Sequence, residues 1–301
     1  MTPAARRRMI RAAVMIISAS RRTDLPAFHA DWLMSRIHAG FCEVANPLNS
    51  AQRSRVSLRP QDVDAFVFWT RNPVGLMPHL PELDRLGYRY TFLFTVVDYP
   101  RLLEPHAPPL SERLARFLRL ADRLGAGRVI WRYDPIVLSD LTDEDYHRER
   151  FRRLADRFHG RTTRVIVSLL DEYARVRRRL RALEPRLHLR RPAEGDARLA
   201  GLMRWMAAEA RDRGMTIQSC AEKRDLRPYG IEPGACIDAR LIRELFGVSV
   251  PERKDPGQRG ACRCAVSRDI GTYGTCRYGC LYCYAARAGV PLCSLNPRSS
   301  A

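Results

Sequence analysis

The segment Cys276-Arg-Tyr-Gly-Cys280-Leu-Tyr282-Cys283 has the residue types and spacing that most directly imply chemistry. Three residues separate the first two cysteines and two separate the second pair. Thiolates are the usual ligands of iron–sulfur clusters. Three of them around a 4Fe–4S cluster leave one iron open to a chelating small molecule. Zinc is the competing reading, and it takes four protein ligands at structural sites, commonly as two close pairs. Incidental thiols are the plainest alternative. Three cysteines with Tyr282 before the last, preceded by the strand-like run Arg268–Tyr273, fit an open-site cluster better.

The chain has nine cysteines, of which eight fall between Cys220 and Cys293. Four of these, Cys220, Cys236, Cys262 and Cys264, are the full complement for a closed metal centre. They are expected to bind a second metal, an auxiliary 4Fe–4S cluster ahead of zinc, with buried free thiols as the alternative. Cys42 is expected to pack beside a strand and Cys293 to lie in a tail. The histidines, His29 and His147 among them, are scattered, and no pair has the spacing of a helical metal site. No Gly-rich phosphate loop and no Gly-x-Ser-x-Gly elbow occurs.

The elements that must position these thiols follow one theme. Short apolar runs end in polar residues and lead into amphipathic Arg/Leu/Ala stretches. The runs are Val14–Ala19, Glu43–Ala45, Ala65–Trp69, Tyr90–Val97, Arg128–Tyr133, Arg164–Leu169 and Met215–Ser219. The stretches expected to be helical are Pro26–Ala39, Gly75–Leu86, Leu110–Leu124, Thr142–Phe158, Leu170–Leu183, Asp196–Arg213 and Ile237–Phe246. In Leu110–Leu124 the residues Leu114, Phe117, Leu118, Ala121 and Leu124 recur at the spacing of one buried helix face. Near-continuous apolar strands alternating with helices predict a parallel sheet covered on both faces. Seven of them predict an α/β fold of the (β/α) barrel class, TIM-like, complete or partial. The strand ends carry Arg21, Arg22 and Asp24; Asn46 and Asn49; Arg71 and Asn72; Asp98; Arg132 and Asp134; Asp171; and Cys220 with Glu222. In a parallel barrel such ends converge on the active-site face. Helix capping explains Asp24 or Asp98 equally well one at a time.

These readings divide the chain into a basic extension expected to be disordered (1–13), a barrel domain (14–225), a Cys-rich segment completing it (226–286) and a disordered tail (287–301). Met15 is the expected true start. The N-terminal apolar run is too short for a signal peptide, and no run is long enough to span a bilayer, so a cytoplasmic location is expected. The net charge is +19, yet Lys223 and Lys254 are the only lysines. The arginine excess, spread along amphipathic segments, reads first as codon bias and solvated helix faces and second as a nucleic-acid surface.

The Cys276–Cys283 spacing resembles the signature of the radical S-adenosylmethionine (SAM) superfamily, in which an aromatic residue placed like Tyr282 packs near the SAM adenine. That resemblance implies SAM on the open iron, its reductive cleavage to a 5′-deoxyadenosyl radical, and an electron donor such as flavodoxin or ferredoxin. The stretches Ile16–Asp24, Val67–Pro73, Val129–Pro135, Cys220–Glu222 and Cys276–Tyr284 resemble a bacterial and archaeal family, domain of unknown function 1848. It is distantly similar to radical SAM enzymes that repair DNA, such as spore photoproduct lyase. From their strand-end positions, Arg21, Arg22, Arg71 and Arg132 are the residues expected to contact the SAM carboxylate or a substrate anion. Asp24, Asp134 and Glu222 would meet ribose hydroxyls or the ammonium, and Asn46, Asn49 and Asn72 would orient substrate. Alternatively, Arg132 and Asp134 pair only with each other. In the superfamily the cysteine motif follows the first barrel strand, whereas here it comes last. This implies a circular permutation in which Arg268–Tyr273 fills the first-strand position and Cys276 shares a face with Arg21, Arg71, Arg132 and Glu222. The expected function is a radical-SAM-type enzyme whose substrate is not legible. A nucleic-acid-binding protein with structural zinc or iron–sulfur sites is the alternative, and a radical enzyme acting on nucleic acid joins the two.

Overall fold

Strands β4 (Ala65–Thr70) and β5 (Tyr90–Thr95) are buried at every position, which is what a parallel sheet covered on both faces requires. The computed structural model describes residues 15–47, 49 and 51–286. The expected basic extension, the tail and Cys293 lie outside these residues. The other strands of the main sheet are β1 (Ile16–Ala19), β6 (Val129–Ile136), β7 (Arg164–Leu169), β8 (Thr216–Cys220), β9 (Glu232–Gly234) and β10 (Arg268–Asp269). They stand in the order β10-β1-β4-β5-β6-β7-β8-β9, every neighbour parallel. Helices α1 (Leu25–Phe28), α2 (Ala30–Ala39), α3 (Leu80–Arg85), α4 (Leu110–Leu124), α5 (Glu144–Phe158), α6 (Ala174–Arg181), α7 (Ala197–Asp212) and α8 (Ala239–Phe246) complete the α/β pattern. No described helix is long and apolar enough to cross a membrane.

Side chains alternate across the sheet, so adjacent residues enter different cores. Ile17, Phe66, Phe68, Phe92, Trp131 and Val165 join one large cluster with the helices. Ile16, Val67, Leu93, Ile130 and Ile166 face the other way, onto Ile237, Ile242, Val248 and the buried cysteines Cys236, Cys262 and Cys264. The Cys-rich segment is thus a second covering layer.

Several expectations change. The sheet is open: β9 and β10 are its two edges, and among the described residues no ladder joins them. These edges are three and two residues long, and Pro233 gives β9 one fewer backbone donor. The expected strand Arg268–Tyr273 therefore shrinks to Arg268–Asp269. The run at Glu43–Ala45 belongs to β2 (Phe41–Ala45), which pairs antiparallel with β3 (Arg53–Ser57) in a separate two-stranded sheet. Asn46 and Asn49 close the turn of that hairpin, where Asn46 Nδ2 donates to Gln52 Oε1 at 2.9 Å, and are not at a strand end of the main sheet. The expected helix Pro26–Ala39 is broken at His29, which takes a non-helical conformation between α1 and α2. The helix expected from Leu170 starts only at Ala174.

Candidate metal centre

Cys276, Cys280 and Cys283 lie close together: Cys283 adds to the raised thiol pKa of both Cys276 and Cys280, and Cys280 adds to that of Cys276. Burial is the larger cause and pushes Cys280 up to about 12. The local turn needs Gly279, whose φ of +63° is left-handed backbone that a Cβ disfavours. Two cations flank the triad. Arg71 lies beside Cys280, and Arg179 of α6 lies beside Cys283 and Cys280. Arg179 also ties the loop to α6. Its guanidinium donates to the Leu281 carbonyl at 3.0 Å, to the Ala286 carbonyl at 2.7 Å and to the Cys283 carbonyl. On the other side His29 Nε2 lies 3.2 Å from the Thr275 carbonyl, one residue before Cys276.

Beneath the loop is a buried ionic network. Glu104, 1% exposed, meets Arg71 Nη1 at 2.6 Å and Arg113 Nη1 at 3.5 Å. The Tyr282 hydroxyl donates to Glu104 Oε1 and accepts from Arg71. Its ring packs edge-on against Tyr99, with centroids 5.5 Å apart. Tyr282 therefore points into the protein as an anchor of the loop. Burial lowers the Arg71 pKa, but Glu104 and Tyr282 outweigh it and hold that group well above its ordinary value.

The strand-end residues gather on the same side. Asp24 caps α1 by accepting from the Ala27 amide at 3.0 Å, and it accepts from the Arg71 amide at 2.7 Å. Burial raises its pKa to about 7, and these amides only partly offset that. Cys276 lies within electrostatic reach of it. Asn72 accepts from the Val74 amide and lies near Tyr278. Arg132 pairs with Asp134, which also accepts from Ser168. Glu222 accepts from the Leu169, Lys223 and Arg224 amides. Arg22 lies over Tyr273 and 3.9 Å from Asp269. Most of these groups are already engaged within the chain. Among the described residues, buried Arg21 Nη2 and Arg132 Nε find no hydrogen-bond partner. The Tyr284 hydroxyl, next to Cys283, donates to the Arg21 carbonyl at 2.8 Å and lies near Arg132. The Arg71 side chain and the Arg21 carbonyl thus lie against the loop of the cysteine triad, whereas the Arg21 and Arg132 guanidiniums also lie beside Cys236, with Arg21 near Cys264 and Arg132 near Cys220.

Asp269 accounts for how the last strand reaches the first. It accepts from Ser18 Oγ, Ser20 Oγ and the Arg21 amide, each at 2.7 Å, and from the Gly271 amide at 3.0 Å. A family model described as "Domain of unknown function (DUF1848)" matches residues 16–285. The chain belongs to this family. None of the curated proteins is detectably similar to it in sequence.

In this DUF1848 chain the second set of cysteines also comes together. Cys220 Sγ and Cys236 Sγ are 3.0 Å apart, and Cys236 and Cys262 both contact Cys264. A cavity of about 480 Å³ opens beside the ends of β6, β7 and β8, lined by Ser168, Asp171, Glu172, Arg190, Glu222 and Arg224 among others. Tyr173, next to that wall, meets the ring of Tyr284 at 5.8 Å, which brings the cavity toward the triad. His29, Glu104, Arg113, Arg179 and Asp269 escaped the sequence reading. His29, Glu104, Arg179 and Asp269 act through partners far along the chain and Arg113 through Glu104, and only the strand-end position of the Arg71 stretch hinted at the network.

Proposed function

We propose that this protein is a radical-SAM-type enzyme, with Cys276, Cys280 and Cys283 holding a 4Fe–4S cluster. The observation that carries the reading is the convergence of three thiols, flanked by Arg71 and Arg179, on the strand-end face that also holds Arg21 and Arg132. The donor set fits the group: three thiolates ligate three irons and leave one for a chelating ligand, and nearby guanidiniums offset thiolate charge. Such a cluster, when bound, supplies the electron that cleaves SAM to a 5′-deoxyadenosyl radical. The chain's own residues bind and orient. Arg179 and Tyr282 fix the loop from two sides. Arg21 and Arg132, which lie between the two sets of cysteines, would add positive charge for a bound carboxylate. The cavity walled by Ser168 and Glu222 has the size of a small-ligand site and would seat the substrate among charged side chains. In this reading the sheet is a split (β/α) barrel entered by its cysteine motif from the last strand.

The test is reductive SAM cleavage by anaerobically reconstituted protein. 5′-Deoxyadenosine should form with dithionite or reduced flavodoxin and vanish in Cys280→Ala. A reconstituted, reduced protein that forms none would overturn the proposal.

A second reading concerns the substrate. Helix α6, which holds the cysteine loop through Arg179, also exposes Arg175, Arg177, Arg178 and Arg181. A basic helix beside the triad suits a nucleic-acid partner. Affinity for DNA or RNA should then fall steeply with salt and weaken when these arginines become alanine.

A further inference from the structure

The cysteines Cys220, Cys236, Cys262 and Cys264 are not used by the proposed reaction, yet they form a second constellation. Their thiols touch in a chain running from Cys220 through Cys236 and Cys264 to Cys262. They come from separate parts of the fold. Cys220 ends β8 and Cys236 follows β9, at one edge of the open sheet. Cys262 and Cys264 lie in the segment leading to β10, the opposite edge. The two parts are fastened by backbone as well: the Ala265 amide donates to the Ile237 carbonyl at 2.9 Å.

We infer that these four cysteines form a closed tetrathiolate site for one thiophilic divalent ion of the zinc class, which clasps the β9 edge to the β10 segment. Four thiolates complete a tetrahedral shell and leave no position for substrate, the mark of a structural site. The spacing favours one ion over a cluster. In a 4Fe–4S cluster each thiolate binds a different iron, with sulfides between, so the thiols cannot touch. Around one ion at about 2.3 Å they stand about 3.8 Å apart. The 3.0 Å between Cys220 and Cys236 is tighter than that. Among the described residues no three ligands are already spread as an ion requires, so binding needs small side-chain rotations outward, with release of the thiol protons.

The surroundings suit an anionic centre. Four thiolates on a dication leave two formal negative charges, and two guanidiniums face them. Arg21 lies beside Cys264 and Cys236, and Arg132 beside Cys220 and Cys236. The Ile237 amide donates to Cys264 Sγ at 3.4 Å, the kind of outer contact that orients a metal ligand. Three of the four cysteines are buried against the apolar layer of Ile16, Val67 and Ile130. The clasp thereby joins sheet edges that no hydrogen-bond ladder joins.

This inference shares Arg21 and Arg132 with the radical reading but is tested apart from it. Metal and acid-labile sulfide are measured on the full chain and on Cys276→Ser/Cys280→Ser/Cys283→Ser, which leaves the second site intact. The expectation is about one zinc per chain in both, lost in Cys264→Ser, and a cobalt-substituted form with the visible bands of tetrahedral thiolate cobalt. Stripping the ion with chelator should speed proteolysis between residues 247 and 267 severalfold. Iron with sulfide retained in the triple variant would overturn the inference in favour of a cluster. Four non-titrating thiols without metal would overturn it in favour of disulfides. Four free thiols without metal would overturn it outright. The triple variant decides the question even if Cys264→Ser fails to fold.

Discussion

Replacing Glu104 by Gln should strip the loop that holds Cys280 of its foundation at nearly constant volume. Glu104 Oε1 lies 2.6 Å from Arg71 Nη1 and Oε2 lies 3.5 Å from Arg113 Nη1. At an effective dielectric of 20, opposite charges at these separations attract by about 5 kcal/mol per pair. The desolvation of the carboxylate, returned on mutation, cancels much of this. The larger consequence is that two guanidiniums remain buried together with no counter-charge, and breaking a buried pair in this way costs about 3–5 kcal/mol. Thermal unfolding of the metal-free, reduced protein should fall by roughly 10 °C, using the usual relation for a chain of this size. The double variant Glu104→Gln/Arg113→Met removes one stranded cation and should recover at least about 1 kcal/mol relative to additivity. Arg113 also donates to the Val97 carbonyl at 2.6 Å, so recovery will be incomplete. A loss below about 1 kcal/mol in the single variant, or strict additivity in the double, would refute the ionic-foundation reasoning.

Three further outcomes follow from other residues. His147 is buried, with Nδ1 2.8 Å from the Tyr133 hydroxyl, and burial lowers its pKa to about 4. The folded state therefore prefers the neutral ring. Its contribution is full above the ordinary value near 6.5 and is lost as pH falls toward 4, amounting to about 3 kcal/mol, and urea midpoints of His147→Gln should lack that share of the pH slope. Arg179→Ala removes three carbonyl contacts worth roughly 2 kcal/mol after discounting for its partial exposure. Reconstituted iron at the triad should fall at least twofold with far-UV dichroism unchanged, and a full iron complement would sink the assignment. Gly271→Ala would set a Cβ 2.6 Å from Ser20 Cβ and 3.1 Å from Thr23 Cγ2. Overpacking of this kind costs about 1–3 kcal/mol, so a denaturation midpoint equal to wild type would show that β1 and β10 are seated differently.

What the sequence disclosed follows how locally each feature is specified. Leu110–Leu124 was legible to the residue because one face repeats Leu114, Phe117, Leu118 and Ala121 and Gly125 ends it. β4 to β8 were legible from their apolar runs. The hairpin of β2 and β3 was misplaced because a short run records that a strand forms, not which strand it pairs with. β9 was missed because Glu232-Pro-Gly has no strand propensity and exists by pairing with β8. The thiols announced themselves by residue type and spacing. Glu104, Arg179 and Asp269 did not, because their partners lie 33, 102 and 251 positions away.

The buckle at Asp269 also bears on how the chain is made. Synthesis is vectorial, so β1 leaves the ribosome long before residue 269 exists. During that interval the Ser18, Ser20 and Arg21 donors have no carboxylate, and one margin of β1 is bare. Non-local pairing of this span is slow and exposes unpaired strand edges to association. The nascent protein must therefore wait, with both cysteine sets incomplete, until residues 262–283 emerge. Through that interval the uncovered margin of β1 is the place where the chain is most open to pairing with another strand.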